Sequence, residues 1–229
     1  ASNVGQVFGL SIGATITPEG APSQLVQRFA TRQRNADGTD LVFTLADVGP
    51  TGVDVRADGD HQVVTLPLQG GSPVVLEYRV RGAALRTADG TTTVVWRALQ
   101  GLNVPVRSFD ATLSIPGQFT YVDCAAGPPG SPGACGWYAG GTHDQPNPAF
   151  HDGPRGAGEV VELTVRFPSG VVAANESRVQ RWSLDRAFSV APLPLGLAVG
   201  LGLLGGLALW SRHRRFGRDA APPAAVGCR

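Results

Sequence analysis

The chain of 229 residues contains no methionine and no lysine, and it has only three cysteines and four histidines. All nineteen basic residues are therefore arginine, and the 31 glycines and 18 prolines complete the composition of a high-GC genome. With no Met even at position 1, the opening Ala1-Ser2-Asn3 reads as the end left when a signal peptide is cut after a small residue. Methionine trimming is the plainer alternative. Net charge is only +1, so no field over the whole molecule draws nucleic acid. Aromatic residues make up 7% and apolar residues 42%, which is enough for a core of ordinary size. Catalytic signatures are missing too. There is no Gly-x-Ser-x-Gly elbow, no phosphate loop and no His-Glu-x-x-His pair. The acidic residues sit mainly in turn sequences, so no acid–base pair is nominated. No cofactor is implied.

Charge is absent from one long stretch, residues 187–210, AFSVAPLPLGLAVGLGLLGGLALW. As a helix it reaches roughly 36 Å, against a hydrocarbon core of about 30 Å. A soluble core helix of this length without a charge is unusual, so the run predicts a membrane span and favours the signal-peptide reading of the start. Pro192 and Pro194 belong in the first turn, where a missing N–H costs little, and regular helix is expected from near Leu193. Trp210 suits the headgroup level, and Arg212, Arg214, Arg215 and Arg218 follow with no acid before Asp219. By the positive-inside rule the tail, residues 211–229, is cytoplasmic and the preceding portion is extracytoplasmic. Arg178, Arg181 and Arg186 weaken this asymmetry, but a large translocated domain tolerates them. The pairs Gly196/Gly200 and Gly202/Gly206 fit the small-xxx-small spacing that lets helix backbones approach. The expected partners are thus the lipid bilayer and a second membrane protein.

Helical periodicity is missing before residue 175. The runs VVTLPL, VVLEYRV, TTTVVWRAL, FDATLSI and EVVELTVRF are rich in β-branched and aromatic residues and read as strands. Val161, Leu163, Val165 and Phe167 alternate with Glu162, Thr164 and Arg166. Leu76, Tyr78 and Val80 alternate with Glu77, Arg79 and Arg81. Both patterns describe half-buried strands. Gln24 to Arg34 is the nearest approach to a helix and is also assigned to strand. Asp37-Gly38, Asp58-Gly59 and Asp89-Gly90 punctuate the runs as hairpin turns in which both residues accept positive φ. Calcium is the rival occupant of such turns, but the full acidic loop with a distal Glu is missing. The expected fold is all-β: an antiparallel β-sandwich ectodomain over residues 1–175, followed by a single transmembrane helix. Two smaller modules dividing near 68–72 are the alternative. Residues 176–186 form a juxtamembrane stalk, or else a last strand packed by Val179 and Trp182.

Cys124 and Cys135 flank a run of Gly, Pro, Ala and Ser. Zinc sites usually pair cysteines two to four apart and need four ligands. Adding His143 and His151 gives a Cys₂His₂ set that matches no standard finger. A nucleophilic cysteine needs a base and an electropositive setting, which nothing local supplies. A disulfide fits an oxidising compartment, and closing this loop is worth about 3 kcal/mol by chain entropy. Cys228, beyond the span, stays a free thiol. Two rival functions follow. The first is a non-enzymatic envelope protein that binds or supports another envelope component. The second is a metal-dependent enzyme or ligand-binding protein built on His143, Asp144, His151 and Asp152, with Trp137, Tyr138 and Phe150 lining a cleft.

Residues 75–117 carry a resemblance. The strand end Tyr78-Arg79-Val80-Arg81-Gly82-Ala83, a strand containing Trp96, the step Val104-Pro105-Val106 and the strand 111–116 resemble the outer domain of YciQ-like membrane proteins. That family, common in actinobacteria, has no known function. The Cys124…Cys135 loop, the strand end 163–171 and the apolar helix continue the likeness, which is good over 70–210 and loose before it. The resemblance implies an extracytoplasmic β domain plus a membrane helix and no catalytic site. It also implies a longer cytoplasmic region with further helices, so that ending at Arg229 marks either a truncated chain or a short branch.

Overall fold

The computed structural model describes residues 10–182 and 192–216. They fall into two units that divide after Gln180. The first is a β unit whose strands make four sheets. The largest runs in the order β14 (Trp137–Ala139), β15 (Ala149–Asp152), β11 (Val106–Ser114), β1 (Leu10–Pro18), β8 (Val74–Arg81) and β5 (Thr44–Gly49). The second is β13 (Gly133–Ala134), β12 (Tyr121–Gly127), β16 (Val160–Phe167), β10 (Thr92–Leu99) and β9 (Ala84–Arg86). The third is β17 (Ser177–Gln180), β4 (Thr39–Val42) and β3 (Arg32–Arg34), and the fourth is β2 (Gln24–Ala30), β7 (His61–Pro67) and β6 (Asp54–Asp58).

The all-β class of this unit stands, but two opposed sandwich layers do not form. The four sheets are arranged like a four-blade propeller around one core. The cause is visible in three strand-like runs that break midway, each half joining a different sheet. Gln24–Arg34 is indeed extended, but it divides at Thr31 into β2 and β3. Residues 39–49 divide at Phe43 into β4 and β5, and 74–86 divide at Gly82 into β8 and β9. Strands that switch sheets in this way make corners rather than layers. Gly82 shows why the third corner is tight. Its φ is +93°, and a Cβ there would lie 2.3 Å from the Val42 carbonyl oxygen. Asn175 repairs the ladder at this corner, its Oδ1 accepting from the N–H groups of Gly82 and Ala84 at 3.1 Å each. Asn175 therefore has a structural use at this corner.

The expected alternation is present. Val161, Leu163, Val165 and Phe167 are fully buried, as are Leu76, Tyr78 and Val80. An aromatic node joins the sheets. Phe29 of β2 lies 5.1 Å from Tyr78 of β8 and 6.0 Å from Trp96 of β10, and Phe43 meets Trp96 edge-on at 5.5 Å. Trp96 Nε1 donates to the Tyr78 hydroxyl (3.1 Å), which donates to the Ala98 carbonyl (3.4 Å). Burial pushes the Tyr78 phenol pKa well up, and the Trp96 hydrogen bond only partly offsets this. No division falls near 68–72, because β1 pairs with both β8 and β11 in one sheet.

The Asp-Gly turns hold, with a different geometry from the one expected. Gly38, Gly59 and Gly90 take positive φ, but the aspartates before them do not. At 35–39 and 87–91 the carboxylate instead folds back onto the turn. Asp37 accepts from Thr39 N and Oγ1 at 2.8 and 2.6 Å, and Asp89 accepts from Thr91 N and Oγ1 at 3.0 and 2.7 Å. Asp89 also accepts from Thr87 Oγ1 at 2.7 Å. Hydrogen bonds from Thr87 and Thr91 lower the Asp89 pKa to about 2. Residues 177–180 are not stalk. They form β17 against β4, while Val179 and Trp182 stay exposed rather than packing. The stalk residues 183–186 lie outside the described residues.

Among the described residues, the second unit contains one helix, α1 (Pro192–Phe216). Leu195–Arg215 is long and apolar enough to cross a membrane, with mean hydropathy 1.5. At 1.5 Å per residue its 21 residues reach about 31 Å. The helix starts one residue before the expected Leu193 and continues past Trp210 into the arginines.

Candidate functional site

Cys124 and Cys135 are joined by a disulfide with Cα atoms 5.6 Å apart. The bond closes the β12–β13 hairpin one position beyond the Ala125–Ala134 pair. The residue just past Cys135 is held as well. Gly136 N–H donates to Asp152 Oδ1 at 3.1 Å, and Arg155 grips both oxygens of the same carboxylate. Asp152 is only 1% exposed, so a paired guanidinium is what makes its burial tolerable. That hydrogen bond raises the Arg155 pKa. The disulfide thus closes the hairpin on itself, and the Gly136–Asp152 hydrogen bond ties the residue after Cys135 to β15.

The four residues nominated for metal are placed apart in their engagements. Asp152 belongs to Arg155. His151 Nδ1 is 2.7 Å from Asp110 Oδ1, and its ring stacks on Trp137 at 5.9 Å. His143 lines an open cavity of about 650 Å³ with Phe119, Thr142 and Asn147, and Asp144 is exposed on the same loop. Among the described residues, no group of three or more His, Cys, Asp or Glu is placed to hold a metal ion. The nominated cleft also divides. Trp137 and Tyr138 are exposed, whereas Phe150 is buried in the core. Asp110 and Arg155 were not singled out from the sequence. Their signal was available in the three-residue spacing of Asp152 and Arg155, and in the cross-strand register that sets Asp110 opposite His151.

Each unit has an arginine over an aromatic ring. Tyr121 donates to Asp123 at 3.0 Å, which raises its pKa, and Arg166 lies over its ring at 5.4 Å. On α1, Arg214 sits 4.3 Å from the ring centre of Trp210, which brings the basic end and the interfacial aromatic together. Arg212 and Arg215 are exposed on the same helical end. Gly196, Gly200, Gly202 and Gly206 have nothing within 4 Å of an added Cβ. Arg218 and Cys228 lie outside the described residues.

Fold and site together define a mostly-β protein that carries a disulfide and one C-terminal apolar helix long enough to span a bilayer. No protein-family profile, curated protein or solved structure matches the chain.

Proposed function

We propose that this chain is a non-enzymatic, membrane-anchored envelope protein of the kind the YciQ-like resemblance implies. In this reading one helix holds a rigid β domain on the outer face, and the domain binds or supports another envelope component. One observation carries it. From Leu195 to Trp210 the side chains of α1 are apolar on every side of the helix, with Leu197, Leu201, Leu203, Leu204, Leu207 and Leu209 at 58–72% exposure. The β unit meanwhile closes a core whose largest side chains are below 2%. A soluble surface helix buries one apolar stripe, whereas a helix apolar on every side needs an apolar solvent. Arg212, Arg214 and Arg215 at the C-terminal end and the oxidised cysteine pair in the β unit support an orientation with the β unit outside. The glycine pairs of α1 give a second membrane protein a close approach, and the chain acts as its accessory subunit.

The test is the full chain with a C-terminal tag, expressed in bacterial cells. Alkaline carbonate is expected to leave it in the membrane, and protease added to spheroplasts is expected to remove the β unit and spare the tag. Release by carbonate, or loss of the tag to outside protease, overturns the reading. Gly200→Leu is expected to abolish co-purification of a membrane partner in mild detergent while the chain stays membrane-bound.

A further inference from the structure

A cavity of about 250 Å³ lies in the β unit between two strands of different sheets. Three successive residues of β3 line it, Arg32, Gln33 and Arg34, and so do three successive residues of β10, Val95, Trp96 and Arg97. The face of a strand shows only alternate residues, so a cavity lined by consecutive ones runs along the strand's edge. β3 is the outer strand of its sheet. Its ladder fixes which backbone groups are open. Asn35 N–H bonds to Thr39 O, and Phe43 N–H bonds to Thr31 O. The bonded pairs of an antiparallel ladder alternate, so Gln33 bonds to Leu41 while the N–H and C=O groups of Arg32 and Arg34 point away from β4. The opposite wall begins where β9 stops, since β9 pairs only with Thr92–Val94. There Gln100 closes the backbone, its Nε2 donating to Arg97 O and its Oε1 accepting from Ala30 N–H. The slot therefore has an open edge on β3, facing a wall whose Val95 N–H and Arg97 C=O are already bonded.

The charge around it is one-sided. Arg32, Arg34 and Arg97 line the slot against a single acid, Glu162, which pairs with Arg97 at 2.9 Å. Arg32 leans toward Asp40 and Asp60 at 3.7 and 3.5 Å, and neither of these lines the slot. Arg34 has no ion-pair partner among the described residues. Charged side chains also guard edge strands against pairing. A guarded edge, however, needs no cavity beside it, and this one has a floor that includes Phe43 and Trp96.

We infer that the β3 edge is a docking site for an extended acidic peptide segment of a partner protein. The segment adds as a strand through the open backbone groups of Arg32 and Arg34, with its carboxylates against Arg34 and Arg97. This is β-strand addition, in which main-chain hydrogen bonds hold the peptide and flanking side chains select it. The inference concerns the β unit and does not depend on membrane anchoring.

The test uses the full chain in detergent and the fluorescein-labelled peptide Glu-Val-Glu-Val-Glu-Val-Glu, read by fluorescence anisotropy. Saturable binding is expected, lost with the Lys-for-Glu peptide and weakened as salt rises. Methylating the peptide's central amide nitrogens removes strand hydrogen bonds without touching the protein, and roughly tenfold weaker binding is expected. Arg34→Pro is expected to weaken binding by a similar factor, because its N–H faces the slot and is not used by β4. An unchanged melting temperature shows that this variant folds. Hydrogen exchange at the Arg32 and Arg34 amides is expected to slow on binding. Absence of saturable binding leaves the arginines as edge guards and overturns the inference. Binding that is indifferent to N-methylation, or fully displaced by millimolar citrate, overturns it in favour of a small-anion site.

Discussion

Tyr78→Phe tests the aromatic node most directly, because it deletes one oxygen at the meeting point of the sheets and leaves the ring. The hydroxyl accepts from Trp96 Nε1 at 3.1 Å and donates to Ala98 O at 3.4 Å, in a residue that is 1% exposed. A typical hydrogen bond contributes about 1 kcal/mol net, but a buried donor left without an acceptor costs about 1–3 kcal/mol. The indole N–H is such a donor, because Trp96 is 3% exposed. The 3.4 Å bond is too long to add much. The expected loss is therefore about 2 kcal/mol. For a unit of this size that corresponds to roughly 4–8 °C in Tm. The assay is urea denaturation of the full chain in detergent, followed by tryptophan fluorescence, with Tyr121→Phe as the exposed control. pH adds a second readout. Burial holds the Tyr78 phenol protonated beyond its ordinary 10.0, whereas the unfolded phenol ionises there. The folded state then keeps a proton that the unfolded state loses, so stability falls as pH rises above that value. Tyr78→Phe is expected to flatten this alkaline decline, leaving the smaller part due to Tyr121. A Tyr78→Phe chain within about 0.5 kcal/mol of the parent would refute the reasoning, because the hydroxyl would then not be serving as the acceptor for Trp96.

Two further predictions concern the turn and the clasp. Asp89 is expected to titrate near pH 2 by carboxyl NMR. Its folded pKa is depressed, so its contribution to the β9–β10 hairpin is complete above 3.8 and is lost as pH falls toward 2. Titration at the ordinary value would mean that the threonine hydroxyls do not hold it. Cys124→Ser with Cys135→Ser is expected to lower stability by about 3 kcal/mol through loop-closure entropy. A reductant is expected to produce the same fall in the parent chain. If the Gly136–Asp152 hydrogen bond alone holds the loop, neither treatment moves the melt.

Much of the β unit was legible because strand chemistry is local. Alternation in 161–167 and 76–80 follows from the two-residue period of a strand, and that period fixes which side chains are buried whichever sheet the strand joins. The cysteine pair was equally legible, since a Pro-Gly loop between two thiols has little else to hold its ends. The candidate metal site was not. His151 and Asp152 are adjacent in sequence, but adjacent strand residues face opposite ways. One therefore meets Asp110 on the outer face and the other meets Arg155 below it. Arg155 is three residues from Asp152 and so within local reach, but no local rule identifies Asp110, which lies on another strand.

By itself, then, the sequence determined the secondary-structure class, the faces of the strands, the positions of the Asp-Gly turns and the presence of an apolar C-terminal helix. Each of these depends on residues within a few positions of one another. Only the tertiary structure decided that Thr31, Phe43 and Gly82 divide continuous runs between sheets, that four sheets close on one aromatic node, and that the edge of β3 stays open beside a cavity. The physical reason is that strand pairing is a choice among distant partners of similar local propensity. It is settled by which register buries Phe29, Tyr78 and Trp96 together and satisfies their polar atoms, and this is a property of the whole core.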